Sequence, residues 1–231
     1  ERSNVELLVS LPRVPFRETV TAPSEGHYRH KKQSGGKGQF GEVYLKLESG
    51  ERSSGLDFVD KTVGGSIPKQ FMPAVEKGIR AEMDKGIVAG YPVVDVCVMV
   101  YDGKFHAVDS DEASFKMAGA RAFRDAFMKG NPVLMEPLLD IEVATPGKFM
   151  GAITSDLTGR RGQIMGMDSV GDTQIVKARV PQKEVLTYPT ALQALTHGEG
   201  SFLADFFDYE LMPSNVQHEV MAEYQPVEDE D

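Results

Sequence analysis

At 231 residues, with 41% apolar and 26% charged side chains, the chain has the composition of one large or two ordinary globular domains and not of a disordered segment. No run approaches the roughly 20 apolar residues of a membrane helix, no basic and apolar leader opens the sequence, and the lone Cys97 allows no internal disulfide and fits a reducing, cytoplasmic setting. The net charge of −10 counts against a nucleic-acid partner only as an average, because residues 1–131 hold 19 Lys+Arg against 18 Asp+Glu whereas residues 132–231 hold 6 against 17.

The first thirty residues read as an opening strand, with apolar Val5, Leu7, Leu8 and Val9, and a linker carrying Pro12 and Pro15. Arg29, Lys31, Lys32 and Lys37 then crowd nine residues with His30 and no acid, and run into a polar, glycine-rich turn, Gln33-Ser34-Gly35-Gly36-Lys37-Gly38-Gln39. Val43, Leu45 and Leu47 alternate with Tyr44, Lys46 and Glu48, the period of a half-buried strand, and residues 56–59 give another short strand. Pro68 suits the first turn of a helix, where its missing N–H has no partner to lose. Phe71, Val75 and Ile79 form that helix's apolar face, and Gly86 closes it in a positive-φ conformation. Residues 93–100 are apolar enough for a strand covered on both faces, followed by an Asp102-Gly103 turn signal and His106. Asp109 with Glu112 matches a helix N-cap, and Phe115, Gly119, Ala122, Phe123, Ala126 and Phe127 line one side of the helix that follows.

Gly130-Asn131-Pro132 ends that helix and sets the domain boundary, 1–131 and 132–231. The second part reads strand (133–143), helix (148–157), strand (163–167), strand (173–180), helix within 183–195, and strand (201–209). That βαββαβ order is the ferredoxin-like split unit. A short helix over 214–224 and a solvated acidic tail, 228–231, finish the chain. The fold class is α+β.

Gly36-Lys37-Gly38-Gln39-Phe40-Gly41 matches the dinucleotide-binding pattern, but that pattern needs a buried strand before it and a helix after it. Here a basic stretch precedes and a period-two strand follows. A plain tight turn is one alternative. Another is an RNA contact, in which small residues let the backbone approach closely while Ser34, Gln39 and Lys37 supply hydrogen bonds and charge. His106, taken alone, reads as an exposed loop histidine, since catalysis would need partners arranged around it. Arg160-Arg161 is either an anion contact or a solvated helix end. Phe202 and Phe206 read as core. The histidines show no metal-site spacing, and neither a nucleophile elbow nor a phosphate-loop motif is present. No catalytic residue is assigned.

Several segments together resemble the bacterial elongation factor G family: QSGGKGQFG at 33–41, VGGSIPKQFMPAVEKGI within 63–90, YPVVDVCVMVYDGKFHAVDS at 91–110, NPVLMEPLLDIEVATP at 131–146 and RRGQIMGM at 160–167. The resemblance implies that residues 1–131 correspond to the family's fourth domain, an elongated α/β sandwich similar to a ribosomal-protein fold, and residues 132–231 to its ferredoxin-like fifth. It implies tip loops that touch the codon–anticodon helix in the small-subunit decoding region during translocation. Ser34, Gly35, Gly36, Lys37, Gly38 and Gln39 would lie in the first loop and His106 in the second, with Arg160 and Arg161 possible contacts to large-subunit rRNA. The implied partners are the ribosome, tRNA and mRNA, with no membrane, for a cytoplasmic monomer. The fragment itself would hold no cofactor; GTP and Mg would belong to a GTPase domain of the parent chain. Gly198-Glu199-Gly200 stands where the family usually has a basic turn, and Thr154-Ser155 with Gly159 also depart from its pattern, which suggests a divergent paralogue. Ribosome protection or recycling is an alternative role within the same superfamily, and a small-molecule-binding α/β module is an alternative outside it.

Overall fold

The computed structural model describes residues 12–33, 36 and 38–225. The opening strand near Val5, the residues Ser34, Gly35 and Lys37, and the acidic tail lie outside them. The described residues form two compact units, 16–135 with 211–225, and 136–210 with 12–15. No helix among the described residues is long and apolar enough to cross a membrane.

The first unit contains β1 (Arg17–Val20), β2 (Ser24–Lys32), β3 (Gln39–Ser49), β4 (Leu56–Asp60), α1 (Met72–Lys85), β5 (Val96–Lys104) and α2 (Glu112–Lys129). Its four-stranded sheet runs β2-β3-β5-β4, antiparallel except for the parallel β4–β5 pair. Val43, Leu45, Leu47, Val98 and Val100 form a core with Val75, Ile79, Phe115, Phe123 and Phe127 from the two helices, all of them without solvent exposure. The apolar stripe read on α2 is therefore the buried face of that helix.

Strands β1 and β2 replace the linker expected there. Their alternation is hard to read because the inward positions of β2 are taken by Gly26 and His30 instead of aliphatic residues. Strand β5 buries Val96, Val98, Val100 and Gly103 but leaves Cys97, Met99 and Tyr101 half-exposed, so only one face is fully covered, not two. The Asp102-Gly103 pair does not turn the chain; both residues pair with β3 across a bulge at Tyr44/Leu45. Gly103 serves close approach instead, since a Cβ there would run into the Glu42 carbonyl and the Ile67 side chain.

Helix α1 follows a single 3-10 turn, Lys69–Phe71, whose cap is Pro68, and it carries Pro73 in its own first turn. Gly86 ends it at φ 76°, as read from the sequence. The backbone N–H groups of Ile87, Val88, Ala89 and Tyr91 then all point at the buried Glu18 carboxylate, at 2.7–3.1 Å. One acid on β1 thereby satisfies the backbone amides of the segment that follows α1. The N-cap of α2 is Asp111, whose Oδ1 accepts from the Ser114 N–H at 2.8 Å. Asp109, the cap expected from sequence, is held two residues earlier in the turn around His106.

β6 (Pro132–Pro146) pairs with β1 through its first four residues. The second unit continues with α3 (Met150–Gly159), β7 (Gln163–Val170), β8 (Thr173–Pro181), the short α4 (Gln182–Val185), α5 (Tyr188–Thr196) and β9 (Ser201–Leu211). β6 lies between β9 and β8, and β7 pairs with β8 at the edge. This is the βαββαβ arrangement expected. Ile153 and Leu157 of α3 and Tyr188 and Leu192 of α5 pack on Ile141, Val143, Val176, Ala178 and Val180. Phe202 is half-buried against this core, but Phe206 is 59% exposed and not core as expected; it stacks obliquely on Tyr209 along β9. The chain ends its described part in α6 (Ser214–Ala222), which belongs to the first unit, where the Gln217 side chain accepts from the Leu134 N–H at 3.2 Å.

Candidate nucleic-acid interface

Two connections meet at one end of the first unit: the β2–β3 hairpin loop, residues 33–38, and the β5–α2 connection, residues 105–111. The Phe40 N–H donates to the Asp109 carbonyl at 2.9 Å, and the Ser110 hydroxyl donates to the Phe40 carbonyl at 2.8 Å. Ser110 Oγ in turn accepts from the His106 N–H at 2.8 Å. The Phe40 and His106 rings lie 6.4 Å apart. Gly38 sits against the Asp109 carboxylate so closely that a Cβ there would come 2.9 Å from its Cγ. These bonds tie the described ends of the two loops side by side.

Within the second loop, the N–H groups of Val108 and Asp109 point at His106 Nδ1, at 3.3 and 3.2 Å. In the neutral ring those contacts make Nδ1 an acceptor and leave the proton on Nε2, which becomes a donor. Asp109 Oδ2 lies 3.3 Å from Nδ1. The His106 side chain is about half exposed (55%), so its ring is both oriented and accessible.

The basic approach to the first loop is only partly available. Arg29 is held by Glu42 at 3.0 Å. The buried His30 bonds Gln39 Oε1 through Nε2 at 2.8 Å, which commits the carbonyl end of the Gln39 side chain. Lys31 and Lys32 are exposed on β2, paired in register with Phe40 and Gln39. Glu42 itself is fully buried and takes His27 Nε2 at 2.8 Å and the Tyr44 hydroxyl at 3.0 Å as well as Arg29. Burial pushes the Glu42 carboxyl up, but the hydrogen bonds from Arg29, His27 and Tyr44 outweigh it and hold the group below its usual range. The same hydrogen bond to Glu42 raises Arg29. His27 stacks on Tyr44 with ring centroids 4.1 Å apart. Sequence reading missed this cluster, whose signal is the alternation of charged and aromatic residues on paired β2 and β3.

The model of elongation factor G, domain IV, matches residues 12–131, and that of the elongation factor G C-terminus matches residues 133–220. The chain belongs to the elongation factor G family. It is 43% identical over 219 residues to an elongation factor G of Aquifex pyrophilus, covering 95% of this chain and 31% of that protein. It is 48% identical over 211 residues to an elongation factor G-like protein of Mycobacterium tuberculosis, covering 91% of this chain and 30% of that one. A crystal structure of a Thermus thermophilus protein superposes with a TM-score of 0.80 at 39% identity, over 93% of this chain and 32% of that one. The chain thus spans about a third of the length of the relatives it matches.

In this member of the family the two arginines singled out in the C-terminal part have internal partners. Arg161, at φ 59°, forms a two-pronged pair with the buried Glu136 at 2.7 and 2.9 Å and also reaches Glu184 at 3.3 Å. Arg160 binds Asp156 at 2.8 Å, the Glu184 carbonyl at 2.8 Å and the Thr187 hydroxyl at 3.0 Å, over the face of Tyr188. Hydrogen bonding to Glu136 raises Arg161 further. The two guanidinium groups hold the α3–β7 corner to β6 and to the α4–α5 segment. Glu199, the acid that departs from the family's usual basic turn, is bridged by Lys148 at 2.8 Å.

Proposed function

We propose that this chain is a ribosome-facing part of a translation factor that promotes movement of tRNA and mRNA, with the tip loops engaging RNA in the small-subunit decoding region. Gly36, Gly38 and Gln39 of the hairpin and His106 of the second loop form the contact, with Ser34, Gly35 and Lys37 assigned to it on the family resemblance alone. The observation that carries the reading is the bonding of Phe40 to Asp109 and Ser110, which joins the two loops and presents the His106 ring outward. A donor at Nε2 beside small residues suits the 2′-hydroxyl and phosphate oxygens of folded RNA. GTP hydrolysis, with Mg, is assigned to another part of the parent protein, and no catalytic step to the residues described. Arg160 and Arg161 enter this reading as a scaffold for the C-terminal domain, because their guanidinium groups are already engaged.

The test is His106→Ala in the intact parent factor. Translocation on programmed ribosomes is expected to slow at least tenfold while ribosome-stimulated GTP hydrolysis persists; unchanged translocation removes the tip assignment. One feature favours a second reading, a ribosome protection or recycling factor of the same superfamily: Glu199 places negative charge where a basic turn would favour rRNA phosphate. Activity in drug rescue or ribosome splitting, without translocation, would select it.

A further inference from the structure

The core side of β2 is closed to larger residues near its start, where a Cβ on Gly26 would strike the Ala122 carbonyl of α2. Four residues on, the same side carries His30, only 5% exposed and paired in register with Gly41. Gly41 contributes no side chain, and a Cβ on it would come 3.1 Å from the Ser114 carbonyl, so that face is left to the imidazole. An aliphatic residue would fill the position without burying polar atoms, as Val43, Leu45 and Leu47 do along β3. The imidazole instead directs its Nε2 at Gln39 Oε1, 2.8 Å away. Gln39 is thereby fixed at both ends. Its backbone lies between Gly38, which sits against the Asp109 carboxylate, and Phe40, which is bonded to Asp109 and Ser110. The residue is exposed, and its amide nitrogen has no protein partner among the described residues.

We propose that His30 is a positioning residue for RNA recognition, which holds the Gln39 amide with its N–H2 group outward. The proposal rests on the tip reading given above and names the chemistry that the tip takes. A bond to an amide carbonyl requires the proton on His30 Nε2. With its carbonyl bonded inward, the Gln39 side chain has only its two N–H donors to offer. The His106 ring, whose Nδ1 accepts from backbone N–H groups, likewise offers a donor at Nε2. These two side chains present donors alone, so the tip selects acceptor atoms of RNA: phosphate oxygens, the 2′-hydroxyl oxygen and base carbonyls. An unanchored glutamine would offer either end of its amide and would lose side-chain freedom on binding; one oriented beforehand loses less. Lys31 and Lys32, exposed on the same hairpin, attract phosphate as point charges without setting a direction.

The test is a double-mutant cycle in the intact parent factor, read as the single-turnover rate of translocation at saturating factor. His30→Phe and Gln39→Ala are each expected to slow the step about three- to tenfold, the size of one lost hydrogen bond. The double variant is expected to be no slower than Gln39→Ala, because His30 acts through Gln39. His30→Gln, which returns an N–H donor close to the place of Nε2, is expected to recover about half of the rate or more. Gln39→Glu, of the same shape without the N–H2 group, is expected to be as slow as Gln39→Ala. Should phenylalanine not fit, His30→Met removes the donor with a more adaptable side chain. In the 231-residue chain, imidazole nitrogen shifts are expected to place the His30 proton on Nε2, and the Gln39 N–H2 signals to narrow in His30→Phe as the group is released. Multiplied losses in the double variant, a normal rate in His30→Phe beside a slow Gln39→Ala, or a His30 proton on Nδ1 alone would each overturn the proposal and leave the tip assignment in place. Normal rates in both Gln39→Ala and His106→Ala would remove the tip assignment, and this role with it.

Discussion

Glu42 shows how a single buried charge organises the surface around it. Its carboxylate has no solvent exposure and collects His27, Arg29 and Tyr44, and charge-assisted bonds of this kind are the strong ones. Its folded pKa lies below the ordinary 4.5. The contribution is therefore present in full above that value and is lost as pH falls through the lower folded value. Glu42→Gln is expected to destabilise the chain by about 2 kcal/mol at pH 7 and to flatten the fall in stability on the acid side of about pH 5, read by urea unfolding at a series of pH values. An unchanged acid limb would place that sensitivity elsewhere. His106 presents the opposite case, an exposed ring whose orientation comes from backbone N–H groups and from Ser110. Ser110→Ala, which removes the hydroxyl joining His106 to Phe40, is expected to lower translocation several-fold in the parent factor and to leave its stability within about 1 kcal/mol.

At the scale of the element, most expected strands and helices are present, and the differences have local causes. Helix α2 is capped by Asp111 and not by Asp109 because the Asp109 carbonyl accepts from the Phe40 N–H and its carboxylate faces His106. Asp111→Ala is expected to cost about 1 kcal/mol, as for other N-caps, measured as a shift in the urea midpoint. Asp109→Ala is expected to leave helix stability nearly unchanged. Exchange of the two results would restore the cap read from sequence. In the C-terminal unit, Arg161 joins the α3–β7 corner to β6 through Glu136, which is almost completely buried. Arg161→Ala strands that carboxylate and is expected to destabilise by about 3 kcal/mol, whereas Arg161→Lys restores charge but not the two-pronged geometry and should recover only part. Loss of RNA binding without loss of stability in Arg161→Ala would instead return this arginine to a contact role.

For the molecule as a whole, each unit has its own apolar core, one built on the β2-β3-β5-β4 sheet and one on the β6–β9 sheet. The chain is expected to unfold cooperatively when isolated from the rest of the parent factor, as followed by calorimetry. Leu45→Ala, at a fully buried position of the first core, is expected to cost about 2–5 kcal/mol. A non-cooperative melt of the unaltered chain would mean that the remaining two-thirds of its relatives' length is needed for packing. Charge divides unevenly along the chain: residues 1–131 are nearly balanced, and the acidic excess lies in residues 132–231.

By itself the sequence determined the α+β class, the βαββαβ order, the two helices over the first sheet and the family, because hydrophobic period, proline and glycine punctuation and colinear motifs are local or additive signals. It also placed Gly36, Gly38 and His106 between strands and helices, whereas Gln39, expected in the first loop from the family resemblance, opens β3 in register with Lys32. Only the tertiary structure decided which polar groups are spent internally. Arg29, His30, Arg160 and Arg161 look alike in sequence to free basic groups, yet each finds a partner distant in the chain or across a strand pair. The same holds for Glu18 and Glu42, ordinary acids by position whose roles arise from burial. A charge's availability depends on what surrounds it in space, and that is set only when strands pair and helices close over them.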